Sequence, residues 1–574
     1  MLAALLPMAD ASIWRGEHWV DEIDLLSLAL IAGTAMANAF ATARPPVDGR
    51  RLCLVLSLPA LVLLGGLTAM VAQDRTFTDP VAWLDAWRGS KALLWAVLLL
   101  STWLVAERGE PLGLARHWIL GCLIGLCLVC LTVLWELLLD GGRLMPVGGY
   151  RVAAMFWEMR LGGGAIDVYL ALTLPMLLWC LVRESDSRRW FILALLVLLA
   201  AQTLVAMQSR AVLGAALLAS GAIVALVWHS PALCRWQPRQ RRQAVILTLA
   251  LALQVGWAMT QGGDMPRRLD AVGRDFQARL AHWHKAWGLL QSDTEKLLGL
   301  GPMQWTHRYG NSPGPGSFGG QLAWRQSAKG QWVMRLQGPI DDPRAGPLFA
   351  ATQRVKDAQV GSYSVRLQLL APEPVTILAS LCERYLIYDR RCQWRRFQVG
   401  GQEHQVQSVA FDLKGSDFSP DAWLARWRPR TFAISVLTPG TRIEVRQLNL
   451  DSPDGVDVLV NGDFSQGHRF WLAAAQGRFE PWHLDNQYLQ YWLEGGALGS
   501  MGWVIAWLLA LRQCWRVRHE MADVAPALAA SVLAVAALSV FISFSELSRL
   551  SLGVWLTLGT SLLLRPKTSH ISRM

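Results

Sequence analysis

Charged residues are scarce in this sequence of 574 residues. Asp, Glu, Lys and Arg make up 17% of it and apolar residues 53%, and the mean hydropathy is +0.28. Typical soluble domains contain about 25% charged residues. The shortage excludes an ordinary soluble multidomain protein and predicts a polytopic α-helical membrane protein.

Apolar runs of the length that crosses a bilayer recur along the chain. A helix needs about 20 mostly apolar residues to span the hydrocarbon core, and by this criterion we predict about 11 to 12 transmembrane helices. The candidate spans lie near residues 23–43, 52–72, 91–106, 117–139, 165–182, 190–207, 211–228, 244–261, 496–511, 524–545 and 550–564.

Two further features are missing from the sequence. The N-terminal segment MLAALLPMADASIW lacks a basic start and leads into charged residues, so we expect no cleavable signal peptide. The sequence shows no cluster of residues with metal-ligand spacing. The adjacent acids Asp341 and Asp342 in PIDDPRAG are typical of a turn and do not form such a cluster. We therefore expect neither a metal nor another cofactor.

The basic residues predict the orientation of the chain, because short cytoplasmic loops carry an excess of Lys and Arg. Threading the spans alternately places residues 73–90, 140–164, 208–211 and 262–490 on the periplasmic side. We expect a multi-pass protein of the bacterial inner membrane with a large periplasmic loop, and the orientation of the N-terminus stays open. This bias contributes to the net charge of +11, so we expect no nucleic acid partner. The basic residues on the cytoplasmic side are Arg44, Arg50, Arg51, Arg183, Arg188, Arg189, Arg235, Arg239, Arg241, Arg242, Arg512, Arg516, Arg518, Arg565 and Lys567.

The predicted periplasmic region has two parts. Residues 274–290 carry apolar side chains at helical spacing, which predicts an amphipathic helix at the membrane surface. From about residue 320 to 470, short segments of alternating polarity are separated by Pro and Gly, which predicts an antiparallel β-sandwich. The predicted divisions are 1–262 for transmembrane helices, 263–311 for the interfacial helix and loop, 312–478 for the inserted β-sandwich, and 479–574 for a motif segment with the last transmembrane helices.

Two features of the β region bear on its role. The segment VLVNGDFSQGHRFW resembles the opening of many carbohydrate-binding jelly rolls, and its alternative interpretation is a tight turn followed by core residues Phe464 and Trp471. Cys382 and Cys392 bracket the potential hairpin ERYLIYDRR. A disulfide across it suits an oxidising periplasm, and the alternative is a pair of half-buried thiols.

Ionisable residues gather at the predicted periplasmic membrane surface. Arg210 lies where one span ends and the next begins, and Arg279 lies on the amphipathic helix. His483 and Asp485 precede the span near 496–511. Each has an alternative interpretation, because arginines at helix ends snorkel to lipid headgroups and a histidine beside a tryptophan can be an interfacial anchor. Together they predict a functional site.

Two segments of the sequence resemble the O-antigen ligase and polysaccharide polymerase family of bacterial inner-membrane glycosyltransferases. They are RLAHWHKAWGLLQSDTEKLLGLGPMQW and HLDNQYLQYWLEGGALG. Many members have a histidine immediately before the asparagine, where this sequence has Asp485, with His483 two places upstream. Other members resemble this sequence in a proline-tryptophan-histidine start, which favours His483 over Asp485 as the base. The β region between the segments is an insertion, since the family usually has a shorter loop there. The matching positions are Arg279, Trp283, Ala286, Gly299, Gly301, Trp305, Asn486, Leu489, Glu494, Gly496 and Gly499.

The resemblance implies a metal-independent, inverting glycan transfer in O-antigen or exopolysaccharide assembly, by a ligase or a polymerase. The donor would be an undecaprenyl-diphosphate-linked glycan within the membrane lipid, and a carbohydrate or lipid A-core type acceptor would supply the hydroxyl. Arg210 and Arg279 would bind the diphosphate, and either His483 or Asp485 would be the base. The supporting residues would be Trp283, Asn486 and Glu494.

A non-enzymatic polysaccharide transporter or receptor with an external sugar-binding domain is the alternative function. Transporters usually have broken or polar helices at the bilayer midplane in repeated halves, and the predicted spans show neither clearly. The glycan, the acceptor, the linkage and the oligomeric state stay open at this stage.

Overall fold

Helices form the first and last parts of the chain, and strands form the part between them. The computed structural model describes residues 1–8, 22–39, 49–72, 80–106, 111–139, 152, 154–156, 164–261, 272–311, 320–326, 330–339, 348–355, 359–385, 388–402, 405–418, 430–476 and 483–565. Asp341 and Asp342, which are predicted to lie in a turn, are outside these residues, and so is Trp482, the tryptophan beside His483.

The helices are numbered in chain order. The first nine are α1 (Leu2–Leu5), α2 (Glu22–Ala39), α3 (Gly49–Ala72), α4 (Pro80–Ala106), α5 (Pro111–Leu139), α6 (Gly164–Arg183), α7 (Ser187–Met207), α8 (Arg210–His229) and α9 (Pro238–Gln261). Three shorter helices precede the strands, namely α10 (Val272–Trp287), α11 (Asp293–Leu298) and α12 (Gln304–Asn311). Three follow them, namely α13 (Gln487–Arg516), α14 (Ala525–Leu538) and α15 (Ser548–Leu563).

The helical part contains segments of membrane-spanning length. Among the described residues, five helices are long and apolar enough to cross a bilayer, and they are Leu112–Leu138, Gly164–Arg183, Ser187–Met207, Arg210–His229 and Gln487–Arg516. A helix satisfies its own backbone hydrogen bonds, which lipid cannot do. These five helices therefore indicate a membrane-embedded protein.

Among the described residues, fewer helices meet this criterion than the roughly 11 to 12 that the sequence predicts, and one predicted span ends early. The candidate at 524–545 is helical only to Leu538, and residues 539–547 form a loop. The side chain of Gln487 holds this loop, because its Oε1 accepts the backbone N–H groups of Phe544 at 2.6 Å and Ser545 at 3.0 Å. A side-chain acceptor thus replaces the helical partners of these two N–H groups.

The helical part has two opposite ends. At one end, which we call the arginine end, Asp523 pairs with Arg183 at 2.6 Å, Arg116 at 3.3 Å and Arg235 at 3.6 Å. These pairs join the start of α5, the end of α6, the segment after α8 and the segment between α13 and α14. Burial opposes ionisation of the Asp523 carboxyl, but the three arginines outweigh it and lower its pKa.

The opposite end, which we call the histidine end, holds the predicted site residues. The N–H of Gln487 at the start of α13 donates to Ser539 O after α14 at 2.8 Å. The buried Ser209 hydroxyl before α8 donates to Asp167 at the start of α6 at 2.5 Å. The predicted alternation of the spans puts Arg183 and the site residues on opposite sides of the membrane. The structure agrees with this alternation, since they lie at opposite ends of the helical part.

Helix α13 is broken at Gly496, where φ is 61° and ψ is −154°. The carbonyls just before the break find partners in the segment after α11. Leu300 N–H donates to Leu493 O at 2.6 Å, and Gly301 N–H donates to Glu494 O at 3.0 Å. A side chain at position 496 would overlap the backbone of Leu297 and Leu298 at the end of α11. The break is therefore built from two segments that the β region separates in sequence.

The strands form two antiparallel sheets in a separate region. They are β1 (Gln321–Gln326), β2 (Trp332–Gln337), β3 (Leu348–Val355), β4 (Ser364–Leu370), β5 (Val375–Tyr385), β6 (Tyr388–Val399), β7 (Gln407–Asp412), β8 (Lys414–Gly415), β9 (Arg430–Val436), β10 (Arg442–Asp451) and β11 (Leu472–Gln476). One sheet has the order β1-β2-β10-β4-β7, and the other has the order β11-β3-β9-β5-β6-β8.

The two sheets share one apolar core. Alternate residues of each strand face inward, as Val365, Leu367 and Leu369 do in β4. Along the chain, β2, β3, β4 and β5 lie in the two sheets by turns. Strand β6 pairs with β5 in the same sheet, and β7, β9 and β10 again lie in the two sheets by turns. This interleaving is the strand order of a jelly roll.

Two sequence features of the β region have defined places in it. Cys382 and Cys392 form a disulfide and face each other in register on β5 and β6. Phe464 and Trp471 are buried in the core, and the Trp471 indole N–H donates to Asn461 O at 3.1 Å. The segment VNGDF therefore forms a turn that supports the core, which is the alternative to a sugar site.

Candidate functional site

The chain segment before α13 is tied to α10 by its backbone. Trp283 donates its indole N–H to Leu484 O at 3.0 Å. His282 Nε2 lies 3.2 Å from His483 O. Asp485 adopts a left-handed φ of 56°, which turns the chain into the helix. These contacts fix the direction in which the side chains of His483 and Asp485 leave the backbone.

The helix start itself is capped by a predicted supporting residue. Asn486 is the N-cap of α13, and its side-chain oxygen accepts the backbone N–H of Leu489 at 3.0 Å. An Asn cap of this kind satisfies one of the free N–H groups at a helix start and stabilises a helix by about 1 kcal/mol. Asn486 therefore positions the segment and contributes no side chain to the charged cluster described below.

His282 acts on this segment as a neutral side chain. Burial lowers its pKa to about 4, which leaves the ring uncharged at neutral pH. The Nε2–H can then donate to the carbonyl of His483, while Nδ1 accepts the hydroxyl of Tyr309 at 2.7 Å. His282 thus links α10, α12 and the segment before α13.

The side chain of His483 lies between two carboxylates. Its Nδ1 is 2.5 Å from Glu546 Oε1, and its Nε2 is 3.1 Å from Asp485 Oδ1. The Ser543 hydroxyl also lies 3.1 Å from Nδ1. Burial by itself lowers the pKa of His483, but Glu546 and Asp485 outweigh it and raise the pKa to about 10. His483 is therefore an imidazolium at neutral pH in this arrangement.

Arg279 closes the cluster on its more accessible side. One guanidinium nitrogen donates to Phe541 O at 2.7 Å, and another lies 3.4 Å from Asp485 Oδ2. The Arg279 side chain is 29% exposed, whereas that of Asp485 is 10% exposed. The 3.4 Å contact is the longest of the cluster, so it is the easiest one for a ligand to replace.

Arg210 lies at the same end but does not contact His483 or Asp485. It is the first residue of α8 and pairs with Asp275 on α10. Asp275 and Arg279 are four residues apart on that helix and therefore share a face. The structure brings Arg279, His483 and Asp485 together directly, and it connects Arg210 to them through α10.

A chain of buried polar side chains continues the cluster toward the broken helix. Gln490 Nε2 donates to Glu546 Oε2 at 3.1 Å and to Glu494 Oε1 at 3.0 Å. Glu494 Oε1 also accepts the backbone N–H of Met303 at 3.3 Å. Glu494 therefore joins the charged cluster to the segment that fills the break in α13, which is a positioning role.

The sequence reasoning missed Glu546 and Gln490. Glu546 is 63 residues from His483 in the chain and lies in the loop that replaces the end of the predicted span at 524–545. A carboxylate between two strongly apolar segments was the available signal, because an ionisable residue at such a place is usually functional. Gln490 carries no such signal, since an amide in an amphipathic helix start is common.

The cluster has the elements of a site that binds an anion and transfers a proton. It contains two cations and two carboxylates, is mostly buried, and has one half-exposed arginine at its edge. Within the described ranges, no group of three or more His, Cys, Asp or Glu side chains could hold a metal ion. In comparisons with known proteins, no family model, curated protein or solved structure matches this chain.

Proposed function

We propose that the protein transfers a glycan from an undecaprenyl-diphosphate-linked donor to an acceptor hydroxyl at the periplasmic face of the bacterial inner membrane. The observation that supports this most is the convergence of Arg279, Asp485, His483 and Glu546 at one end of the apolar helices. The resemblance of the two sequence segments to the O-antigen ligase and polysaccharide polymerase family supports the same function. The multi-pass topology, with the β region in the periplasm, belongs to this proposal.

The arginines suit the leaving group of this reaction. As the glycosidic bond breaks, its electron pair moves to the lipid diphosphate, whose negative charge grows. A guanidinium is permanently charged and presents parallel N–H donors to phosphate oxygens. We propose that the diphosphate replaces the 3.4 Å contact between Arg279 and Asp485, and that Arg210 exchanges Asp275 for the same ligand.

The exchange at Arg279 would expose a proton acceptor. Asp485 Oδ2 would lose its cation, while Oδ1 would stay bonded to His483. The acceptor oxygen attacks the anomeric carbon from the face opposite the diphosphate, and its proton passes to Asp485. This displacement inverts the anomeric centre. His483 could serve as the base only after losing its own proton, which its raised pKa opposes.

A transfer assay tests the proposal. Protein purified in detergent is incubated with an undecaprenyl-diphosphate-linked glycan and a carbohydrate or lipid A-core type acceptor, and the products are resolved by size. A ladder of products identifies a polymerase and a single shift identifies a ligase. Arg279→Ala should abolish the products, whereas Arg188→Ala, at an exposed position next to the arginine end, should not.

The assay also addresses the transporter or receptor alternative. Binding of the lipid-linked glycan without any product, at all acceptors and in the presence of membrane lipid, would contradict glycan transfer. Sidedness is tested by labelling in intact spheroplasts. A single cysteine in residues 430–476 should react from outside, and Cys234 near the arginine end should not.

A further inference from the structure

A tryptophan lies exposed on the outer face of the six-stranded sheet. Trp394 in β6 is 52% exposed, although large aromatic side chains usually lie in the core. Its neighbours in register are Ser380 on β5 and Lys414 on β8. Arg396 lies on the same face, because alternate residues of a strand point to the same side. We call these four residues the tryptophan platform.

The two cations of the tryptophan platform differ from others in the β region. Arg335 pairs with Glu444 at 2.6 Å, and Arg366 pairs with Asp451 at 2.7 Å. Arg396 and Lys414 are exposed, and neither forms an ion pair with any residue that the structure describes. The platform therefore combines an apolar ring with positive charge that no carboxylate among the described residues neutralises.

The strands that carry the platform are also cross-linked. The disulfide between Cys382 and Cys392 joins β5 to β6 one step along the same face, two residues from Ser380 and Trp394. Ser380 is small, so it leaves space beside the indole ring for a flat group to lie across the sheet. The cross-link holds β5 and β6 in register, so binding on this face does not have to order their backbone.

We propose that the tryptophan platform binds an anionic glycan. One sugar ring packs its C–H groups against the electron-rich face of Trp394, while carboxylate groups along the chain pair with Arg396 and Lys414. A lipid surface would need several exposed apolar side chains together with the cations. Here Trp394 has the polar residues Ser380 and Lys414 in register, and its diagonal neighbour Leu378 is partly buried. This binding requires no glycan transfer and goes beyond the proposed function.

A binding experiment on the full chain tests the inference. Protein in detergent is titrated calorimetrically with a hexamer of galacturonic acid and with a neutral glucose hexamer of equal length. We expect the acidic hexamer to bind at least about tenfold more tightly at low salt, and this preference to decrease as salt screens the charges. No binding of the acidic hexamer, or equal binding of both, would overturn the proposal.

Variants locate the site. Trp394→Ala should weaken binding of the acidic hexamer by about tenfold, because it removes an aromatic contact surface, and Trp394→Phe should retain most of it. Arg396→Gln should weaken binding several-fold. Arg442→Gln makes the same charge change at an exposed position of the other sheet and should leave affinity within about twofold. Equal losses in Arg396→Gln and Arg442→Gln would instead indicate non-specific charge attraction, and an unchanged affinity in Trp394→Ala would exclude the platform.

Hydrogen exchange separates a glycan site from a membrane contact. In lipid nanodiscs, the acidic hexamer should slow exchange in residues 388–399, and replacing zwitterionic lipid by anionic lipid should not. Protection by anionic lipid alone would make the platform a membrane contact and overturn the proposal. No donor lipid is present in these experiments, so they are independent of transfer activity. Arg396→Gln should also leave transfer to a short acceptor unchanged.

Discussion

Replacing Glu546 by Gln should lower the pKa of His483 and change how stability depends on pH. The substitution removes one negative charge at Nδ1 and keeps the size of the side chain. Two unit charges about 4 Å apart interact by about 4 kcal/mol at the effective dielectric constant of about 20 that suits protein sites. This corresponds to a change of about three in pKa, so the pKa of His483 should fall from about 10 toward its ordinary value.

The sign of the effect follows from the raised pKa of His483. A histidine with a pKa of about 10 in the folded state and about 6.5 in the unfolded state stabilises the fold fully below pH 6.5. This contribution is lost as the pH rises from 6.5 to 10. In Glu546→Gln, in which the pKa of His483 is close to its unfolded value, little of this contribution remains at any pH. The variant should therefore be less stable by about 4 kcal/mol at pH 6, within the range expected when a buried ion pair loses one partner.

Thermal unfolding in detergent between pH 6 and 10 measures this difference. The melting temperature of the wild type minus that of Glu546→Gln should decrease steadily across this range. Glu136→Gln is the matched control, because Glu136 is also buried and accepts the N–H of Ala154 at 2.7 Å far along the chain from His483. A difference that is constant with pH for Glu546→Gln, or that decreases equally for Glu136→Gln, would refute the ion-paired imidazolium.

Three further predictions concern other parts of the molecule. Arg279→Ala should reduce transfer by about two to three orders of magnitude. Arg279→Lys should recover little of it, because the point charge of lysine does not reproduce the parallel N–H donors of a guanidinium; full activity in the lysine variant would contradict phosphate binding. Gly496→Ala should lower the melting temperature strongly, because its side chain would overlap the backbone at the end of α11. Gly214→Ala, in open space on α8, should not lower it; equal melting temperatures would contradict the broken helix. Reduction of the bond between Cys382 and Cys392 should destabilise the β region by about 3 kcal/mol, measured as earlier loss of its β-sheet circular dichroism on heating, and no change would contradict a stabilising role.

The sequence was sufficient to predict the parts of the site that are local in the chain. His483 and Asp485 are two residues apart next to an apolar segment, and Arg279 lies on a helix whose periodicity is visible. Glu546 could not be connected to them, because the contact depends on where α14 ends. The loop after α14 is held by a side-chain acceptor, Gln487 Oε1, and the hydrophobicity of a sequence does not predict such a partner.

The same limit applies to the protonation of the site. From the sequence, His483 is a candidate neutral base, since its ordinary pKa of about 6.5 suits that role. The second carboxylate at Nδ1 reverses this expectation, and a pKa depends on all the charges that surround a group. The alternation of apolar residues, by contrast, predicted the β-sandwich well, because a half-buried strand displays its two faces directly in its sequence.

The contacts just before α13 have a consequence for the β region, which is inserted between two points of the helical part. The chain leaves the helical part after α12 and returns at His483, and Tyr309, His282 and the carbonyl of His483 bond these two points to each other. The insertion is therefore a loop whose two ends are already held together by the helical part. The entropy of closing a loop rises only slowly with its length, by about 0.6 kcal/mol for each doubling. We therefore expect that domains of very different size, or a short linker, would fit this position without displacing the charged cluster.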